Sequence, residues 1–400
     1  MLKGKTIVVG VCGGIAAYKS ADIISKLKKL NAELHVIMTR SAREFISPLT
    51  FQSLSQNYVI YDMFQEPRSW EIEHISLAQK ADLFIVVPAT ANMIGKIANG
   101  IADDMLSTTI MATKSPVIIA PAMNCDMFEN IIVQKNIQRL QALGYIFVEP
   151  QVGRLACGDI GQGKLADVDD IIEIIKQTVA FDKDLKDLNV LVTAGPTREA
   201  IDPVRFITNH SSGKMGYSIA KVAKYRGAKV TLVSGPTNLK PIKGIQMIDV
   251  NSALEMYEAV MAHFEEADII IKAAAVSDYR PLKSEKHKIK KQQNDLEIQL
   301  TKNPDILMEL GKKVTNQVLI GFSMETQLLK EYAKEKLIKK NLDLIVANNL
   351  SEKGAGFAVD TNIATLINKN GDIENMPIMT KDELAYVILD KALAIHKKKH

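Results

Sequence analysis

Two short segments that follow apolar runs carry small residues and end in an asparagine. Pro88–Asn92 reads PATAN and Pro121–Asn124 reads PAMN, and each comes directly after a run rich in Val and Ile. In a parallel α/β sheet, ligands bind beyond the carboxyl ends of the strands. Small residues there leave room for a flat ring, and an asparagine amide can bond the edge of that ring. Two matched strand ends favour a binding site over a pair of ordinary asparagine-tipped turns.

A glycine-rich turn follows the first apolar run, in the segment Gly10–Lys19 (GVCGGIAAYK). Glycines let a phosphate approach the backbone at a helix N-terminus, where free N–H groups and the helix dipole favour anions. The dinucleotide fingerprint G-x-G-x-x-G is not met, because Cys12 stands in the place of its second glycine. Taken alone, the turn is weak evidence for a phosphate site.

A histidine and a cysteine are candidates for proton transfer. His74 precedes an apolar run. A single histidine in a helix indicates a catalytic role only if the reaction requires a base nearby. Cys157 lies in Gly153–Lys164, a span with four glycines and several charges. A thiol in such a loop is unlike a core residue, so we interpret Cys157 as a functional group.

The second half of the chain contains a glycine-bearing helix start, NHSSGKMG at 209–216. It fails the P-loop pattern, because Met215 replaces the magnesium-binding Ser/Thr and Thr208 replaces the first glycine. Asn209 to Ser212 nevertheless offer donors at one helix N-terminus, which suits an anion.

Acidic and basic residues surround a further strand end in this half. Ala273–Pro281 (AAAVSDYRP) supplies small residues and then Asp278, whose carboxylate could bind Mg²⁺ near phosphates. The lysines between 283 and 291 are interpreted as a basic flap over a triphosphate, because no aromatic residues interleave them as in single-strand binders. Lys336 and Lys340 are four residues apart and share one helix face.

The elements that position these residues are two successive α/β patterns. Continuous apolar runs predict strands buried on both faces; they lie at 5–11, 33–39, 82–88, 116–121 and 145–149, and again at 189–195, 228–235, 267–276, 318–324 and 342–348. Residues 15–30 form an amphipathic helix, and Ser252-x-x-Glu255 is a plausible capping box. We therefore predict two doubly wound α/β domains, 1–187 and 188–400, with the polar stretch 181–188 between them.

Composition excludes several classes of protein. The 400 residues suit two cores, and a formal net charge of +4 argues against a dedicated nucleic-acid protein. Three scattered cysteines without a C-x-x-C pair argue against disulfides or a thiolate zinc site. No signal peptide or membrane-length apolar stretch is recognised, so a cytoplasmic location without membrane contact is expected. The charged end 396–400 is expected to be disordered or solvated.

The ordered set GGIAAYK, HI, PATAN, PAMN and ACGDIGxG resembles the flavin-dependent cysteine decarboxylases over nearly all of the first domain. The resemblance implies a flavodoxin-like fold, bound FMN as the electron sink, and decarboxylation of a cysteinyl substrate. By matched position it implies that His74 is the base of the oxidative step, Asn124 holds the substrate carboxylate, and Cys157 donates a proton in the reductive step. The residues implied at the FMN phosphate end are Gly13, Gly14, Ile15, Ala16, Thr39 and Ser107, and those along the flavin are Ala89, Thr90, Asn92 and Ala122. Ser76 stands where the family often has an acidic residue, which weakens the case for a carboxylate partner to His74.

The second domain resembles phosphopantothenate–cysteine ligases in NHSSGKMG, AAAVSDYRP, KIKK, KNPDI, GFxxET and KNLD. The resemblance implies a Rossmann-like domain that activates 4′-phosphopantothenate with CTP as an acyl-cytidylate, from which the amine of L-cysteine displaces CMP. Such chemistry needs positioning and charge neutralisation. Asn209 would hold the acyl-cytidylate and Lys288 would stabilise charge. The implied CTP-binding residues are Ala273, Ala274, Ala275, Asp278, Lys288, Asn303, Pro304, Asp305, Ile306, Phe322, Lys336 and Lys340.

Together the two resemblances imply a bifunctional enzyme of coenzyme A biosynthesis. The ligase product, 4′-phosphopantothenoylcysteine, is the substrate that the decarboxylase converts to 4′-phosphopantetheine. They also imply a homo-oligomer, with trimeric flavin domains and dimeric ligase domains in a larger assembly.

Two other functions remain as alternatives. A nicotinamide-dependent dehydrogenase would need an intact dinucleotide fingerprint and an acid after the second strand, which instead ends in Met38-Thr39-Arg40. A non-catalytic flavoprotein subunit would not need His74, Asn124 and Cys157 together. Neither alternative explains the ligase motifs.

Overall fold

The computed structural model describes residues 2–64, 72–154, 160–290, 296–325, 329–349 and 361–400. The chain divides into two compact units, Met1–Asp182 and Lys183–His400. The division falls within the polar stretch at 181–188 that separates the two sequence patterns. Both units are doubly wound α/β structures, as the sequence predicts.

The first unit is built on a six-stranded parallel sheet. The strands of this unit are β1 (Thr6–Val11), β2 (Glu33–Met38), β3 (Val59–Ile60), β4 (Leu83–Ala89), β5 (Val117–Pro121), β6 (Ile146–Phe147), β7 (Gln151–Arg154) and β8 (Ile160–Lys164). Its α-helices are α1 (Lys19–Lys29), α2 (Pro48–Ser55), α3 (Glu73–Lys80), α4 (Ala91–Ala98), α5 (Met105–Ala112), α6 (Cys125–Glu129), α7 (Ile131–Ala142) and α8 (Val168–Val179). The sheet order is β3-β2-β1-β4-β5-β6, and β7 and β8 form a separate antiparallel hairpin. The order reverses between β1 and β4, which makes a crevice at their carboxyl ends.

Alternate residues of each central strand enter two different cores. Ile7 and Val9 of β1 pack in a core on one face of the sheet, while Val8 packs in a second core on the other face. In β4, Ile85 belongs to the first core and Phe84 to the second. Burial on both faces explains why these strands are continuous apolar runs without a polar alternation.

The second unit repeats the architecture with a longer sheet. Its strands are β9 (Asn189–Ala194), β10 (Arg198–Ala200), β11 (Phe206–Thr208), β12 (Lys229–Ser234), β13 (Gln246–Asp249), β14 (Ile269–Lys272), β15 (Tyr279–Pro281), β16 (Leu300–Lys302), β17 (Val318–Glu325), β18 (Leu344–Asn349), β19 (Thr361–Asn362), β20 (Ala364–Asn368), β21 (Ile373–Asn375) and β22 (Met379–Thr380). Its helices are α9 (Lys214–Tyr225), α10 (Ala253–His263), α11 (Ile306–Lys313), α12 (Leu329–Lys339) and α13 (Lys381–Lys399). The main sheet has the order β13-β12-β9-β14-β17-β18-β20-β21, in which β20 runs antiparallel to both of its neighbours, β18 and β21. The order reverses between β9 and β14.

Two local expectations change in the structure. The strand expected at 267–276 ends at Lys272, so the small residues that follow it lie in a loop. Ser252 caps α10, but the Glu255 carboxylate bonds the N–H of Asn251 at 2.8 Å and not that of Ser252, so the reciprocal half of the capping box is missing.

The charged end was expected to be disordered or solvated, and it is solvated but ordered, because residues 397–400 are exposed while the chain stays helical to Lys399. Residues up to Lys399 continue α13, and the Lys399 Nζ lies 2.8 Å from Asp343 Oδ2 and 2.8 Å from the Gln317 carbonyl oxygen. The helix continues because its other face is buried, with Leu384, Ile388 and Leu389 inaccessible to solvent. The charges are solvated, as their local pattern indicates, while the buried face and the ion pair keep the last turn helical.

Candidate active sites

The residues expected at the flavin lie beyond the carboxyl ends of the first unit's strands. After β1 the chain passes through Gly13 and Gly14 into a 3-10 helix at Ile15–Tyr18. Thr90 caps α4 directly after β4, and Asn124 caps α6 shortly after β5. Because these strands are parallel neighbours, the three turns share one edge of the sheet, at and beside the point where the strand order reverses.

The two glycines of the first turn have different surroundings. A Cβ on Gly13 would lie 2.5 Å from the Cβ and 2.7 Å from the backbone oxygen of Ser41, so the chain passes too closely there for a side chain. A Cβ on Gly14 would meet nothing within 4 Å. Gly14 therefore faces open space in front of the first N–H groups of a helical segment, which have no acceptors within the helix. This arrangement fits a phosphate group.

The polar residues of this edge also have local structural partners. Thr39 Oγ1 accepts a hydrogen bond from Ala42 N at 3.3 Å, and Thr90 Oγ1 accepts one from Met93 N at 3.4 Å. Ser107 is buried and belongs to a capping box with Asp104, whose Oδ1 accepts from Ser107 N at 2.8 Å. Ala89 is fully buried, whereas Asn92 lies exposed on the first turn of α4.

Cys12, the residue that breaks the dinucleotide fingerprint, is a core residue. It is buried, and burial raises the pKa of its thiol to about 12 despite hydrogen bonding from Thr90. A thiol with this pKa stays protonated and unreactive at neutral pH. Cys12 therefore fills space behind the turn.

The β7–β8 hairpin is joined to the turn that carries Asn124. Met123 N donates to the Gly163 carbonyl oxygen at 3.0 Å. A side chain at Gly161 would come within 2.6 Å of Cys125 Cβ, and one at Gly163, with φ of +153°, within 2.4 Å of the Met123 carbonyl oxygen. Glycines at both positions let β8 lie against this turn. Cys157 is between the two strands, in the segment 155–159 that lies outside the described residues.

Asn124 and His74 differ in their hydrogen bonding to the rest of the described protein. The Asn124 Oδ1 accepts from Asp126 N at 2.8 Å, which fixes the orientation of the amide. His74 is half-buried in the first turn of α3, a helix that leads into β4. It makes no hydrogen bond to another residue in the described ranges.

In the second unit, one cavity of about 520 Å³ opens where the strand order reverses. It gathers every residue that the ligase resemblance assigns to CTP except Lys288, and it also includes Asn209. The contributing segments are the N-terminus of α9, the loop after β14, the N-terminus of α11, β17 and α12. Tertiary structure thus brings together motifs that are more than a hundred residues apart in the sequence.

Hydrogen bonds hold the cavity wall in place. Asn209 Nδ2 donates to the carbonyl oxygens of Ala275 at 3.4 Å and Val276 at 3.2 Å. Asn303 Nδ2 donates to the Ser277 carbonyl oxygen at 2.8 Å. Asn209 and Asn303 therefore hold three successive carbonyl groups of the loop after β14.

Lys336 of α12 and Lys340, the residue directly after this helix, line the cavity and are already bonded to protein. Lys336 Nζ donates to the Phe322 carbonyl oxygen at 3.2 Å, and Lys340 Nζ lies 2.6 Å from Asp305 Oδ2. Although burial opposes it, hydrogen bonding from Lys340 and Met308 N lowers the pKa of Asp305.

Lys272 lines the same cavity, and the sequence motifs did not identify it. It is the last residue of β14, directly before Ala273. Burial, followed by the nearby ammonium groups of Lys336 and Lys340, lowers its pKa to about 8. A lysine at the end of an otherwise apolar strand beside a switch point was the available signal.

Lys288 is exposed and does not line the cavity. Its segment is held to the loop after β10: the buried Asp202 accepts from Ile289 N at 3.2 Å, and Arg205 Nη2 donates to the Ile289 carbonyl oxygen at 3.2 Å. Asp278, the proposed metal ligand, is exposed at the cavity. Within the described ranges, no cluster of three or more His, Cys, Asp or Glu could hold a metal ion.

This geometry defines a class of protein. Its members have two α/β domains, with a flavin-type turn in one and a nucleotide-sized cavity in the other. Comparisons with known proteins agree with both halves. A family model described as Flavoprotein matches residues 1–180. A second, described as DNA/pantothenate metabolism flavoprotein C-terminal domain, matches residues 185–395.

Full-length relatives give the family. The Coenzyme A biosynthesis bifunctional protein CoaBC of Bacillus subtilis is 48% identical over 100% of this chain and 99% of its own length. The protein of the same name from Escherichia coli K12 is 42% identical over 100% of this chain and 99% of its own. A crystal structure of the C-terminal domain of a CoaBC is 44% identical over 54% of this chain and 100% of its own, with a TM-score of 0.47.

The chain therefore belongs to the family of bifunctional coenzyme A biosynthesis proteins. It is a bifunctional enzyme, with a decarboxylase in the flavoprotein domain and a phosphopantothenate–cysteine ligase in the second domain. These findings confirm the family, the fold class and the two activities predicted from the sequence. No helix among the described residues has the length and apolar character needed to cross a membrane.

Proposed function

We propose that the cavity of the second unit binds CTP with Mg²⁺ and activates 4′-phosphopantothenate for attack by L-cysteine. The observation that carries this proposal is the convergence of Asn209 and all the expected CTP residues except Lys288 on one cavity. The substrate carboxylate attacks the α-phosphorus of CTP, pyrophosphate leaves, and the cysteine amine then displaces CMP to form the amide. No enzyme nucleophile is required, because positioning and charge neutralisation supply the rate.

Within this site the residues have separate proposed roles. Asn209 holds the acyl-cytidylate from the loop that its amide already contacts, and Asp278 binds Mg²⁺ next to the phosphates. Lys336 and Lys340 neutralise the phosphates. Lys288 approaches from its exposed segment and stabilises charge during the reaction.

We propose further that the carboxyl edge of the first unit binds FMN and decarboxylates 4′-phosphopantothenoylcysteine. The open space at Gly14 supports a phosphate there, and the small residues after β4 and β5 leave room for the ring. Bound FMN would accept two electrons from the substrate and return them. Asn124 holds the substrate carboxylate, and His74 takes the thiol proton. Cys157 supplies the proton that completes the product.

The remaining proposals concern setting and assembly. We propose a homo-oligomer with trimeric flavin domains and dimeric ligase domains, in the cytoplasm, without nucleic-acid or membrane partners. Gel filtration with light scattering checks the assembly: a monomer at micromolar concentration would contradict it.

Two variants test the two halves in the same reaction mixture. Full-length protein is incubated with 4′-phosphopantothenate, L-cysteine, CTP and Mg²⁺, and CMP, CO₂ and products are followed by mass. Cys157→Ser should release CMP normally and stop before 4′-phosphopantetheine, with the flavin left reduced. Asn209→Asp should lose CMP release but still decarboxylate added 4′-phosphopantothenoylcysteine.

The matched cysteine control is Cys125→Ser, which keeps the Cβ next to Gly161 and replaces only the sulfur by oxygen. It should keep both activities. Normal 4′-phosphopantetheine formation by Cys157→Ser contradicts the proton-donor role. Equal loss of both activities in Asn209→Asp contradicts the assignment of Asn209 to the ligase site.

A further inference from the structure

Five lysines line the cavity of the second unit, Lys214, Lys272, Lys336, Lys340 and Lys381. Lys272, Lys336 and Lys340 lie close enough to influence one another, and they differ in what they contact. Lys336 donates to the Phe322 carbonyl oxygen and Lys340 pairs with Asp305. Lys272 makes no hydrogen bond or ion pair with any residue that the structure describes, although it is partly buried.

Two positive and two negative side chains influence the charge of Lys272, and the positive ones have the larger effect. Lys336 and Lys340 disfavour its ammonium form, while Asp305 and Asp278 favour it. Asp305 is already paired with Lys340, so it offers Lys272 little compensation. A partly buried cation without a partner is unfavourable unless a ligand supplies the opposite charge.

The position of Lys272 in the sheet points to the part of a nucleotide that it would meet. It ends β14 at the switch point, in register with Thr193 of β9 and Gly321 of β17. Ala273 to Ala275 follow it and give only small side chains, which suit a ring or a sugar. The lysines are the cationic part of the cavity, and phosphates are the anionic part of a nucleotide.

We infer that Lys272 is a third phosphate-binding residue of the ligase site, which contacts the triphosphate of CTP together with Lys336 and Lys340. The inference rests on the proposed binding of CTP to this cavity. It adds a residue that neither the motifs nor the family resemblance assigns.

A pH effect follows from this geometry. The free lysine has a pKa of about 8, and a bound triphosphate would raise that pKa because it supplies negative charge. Below this pKa the ammonium is present with or without nucleotide, so affinity is insensitive to pH. Above it, binding takes up a proton and the affinity for CTP falls as pH rises.

Calorimetric titration of the full-length protein tests the inference. CTP and CMP are titrated with Mg²⁺ at pH 7 and pH 9, in buffers of different ionisation enthalpy, so that proton uptake is measured directly. The variants are Lys272→Met, Lys272→Arg and the control Lys339→Met, an exposed lysine of α12 that does not line the cavity.

Lys272→Met should weaken CTP binding roughly ten- to a hundredfold at pH 7, the range for one charged hydrogen bond. It should change CMP binding little and lose the proton uptake at pH 9. Lys272→Arg should bind CTP within a few fold of the wild type but without proton uptake, because a guanidinium stays charged. Lys339→Met should match the wild type.

Two results would overturn the inference. One is Lys272→Met with wild-type CTP affinity and proton uptake. The other is equal weakening of CTP and CMP, which would place Lys272 away from the β- and γ-phosphates. A wild-type protein that binds no CTP and releases no CMP would instead refute the proposed function of the cavity.

Discussion

Replacement of Gly13 by alanine should destabilise the flavoprotein domain whether or not flavin is bound. The added methyl group would lie 2.5 Å from the Cβ, 2.6 Å from the carbonyl carbon and 2.7 Å from the carbonyl oxygen of Ser41. Two of these atoms belong to the backbone, which cannot rotate away as a flexible side chain would. The turn after β1 or the 3-10 helix at Arg40–Glu44 must therefore shift.

The size of the effect follows from this overlap. Overpacking in a well-packed region costs typically about 1–3 kcal/mol. For a unit of this length, each kcal/mol lowers the melting temperature by about 2–4 °C, so a decrease of roughly 2–12 °C is expected. The assay is thermal unfolding of flavin-stripped protein, followed by the circular dichroism of the first transition.

Gly14→Ala is the matched comparison, because a Cβ at Gly14 meets nothing within 4 Å and its φ of −177° suits any residue. Stripped Gly14→Ala protein should melt with the wild type. Its flavin content, measured as absorbance near 450 nm per protein, should fall if the phosphate of FMN occupies the open space there. A stripped Gly13→Ala protein that melts with the wild type would refute the packing argument. Full flavin content in Gly14→Ala would refute the position of the phosphate.

The remaining predictions concern the second unit. Arg226 is 1% exposed and pairs with Asp184 at 2.6 Å and Asp390 at 2.8 Å, so Arg226→Met should lower the free energy of unfolding by about 2–3 kcal/mol, less than for a fully buried pair because both carboxylates are partly exposed. Hydrogen bonding from Arg226 holds the pKa of Asp184 below its usual value of 3.8. The stability that this pair contributes is present above pH 3.8 and is lost as the pH falls through the folded pKa of Asp184. In Arg226→Met the free energy of unfolding should therefore depend less on pH below about pH 4. An unchanged urea midpoint and acid transition would contradict both. Asp202→Ala should speed amide hydrogen exchange at Ile289 and lower the ligase kcat with decarboxylation unchanged, and unaltered exchange at Ile289 would show that Asp202 does not hold the Lys288 segment.

Much of the fold was predictable because strands that are buried on both faces of a sheet form continuous apolar runs in the sequence. The runs 5–11 and 189–195 predicted β1 and β9, and the structure confirms both strands with nearly the same bounds. The short strand β3 and the β7–β8 hairpin were not predicted. Two buried residues in β3 and alternating exposed residues in β7 give no apolar run to recognise.

The last turn of α13 shows that order which depends on a distant partner cannot be predicted from the local sequence. Its lysines are exposed, as the sequence suggests, but nothing in the local sequence reveals Asp343 as the partner that helps to order this end of the chain. Arg226 is a second example, because its neighbours in the sequence do not reveal whether its side chain is buried or exposed. Contacts between residues more than fifty positions apart decided both cases.

The sequence by itself determined the two α/β patterns, the motifs at the strand ends and, through them, the family and its two activities. These properties depend on residue type and short spacing, which fix local conformation and the chemistry available. Only the tertiary structure showed that Gly13 is closely packed whereas Gly14 faces open space. It also showed that the β7–β8 hairpin is bonded to the turn that carries Asn124, and that Lys272 lies near two lysines that already have partners. Packing distance and electrostatic environment are set by residues distant in the chain, and therefore they emerge only when the sheet assembles.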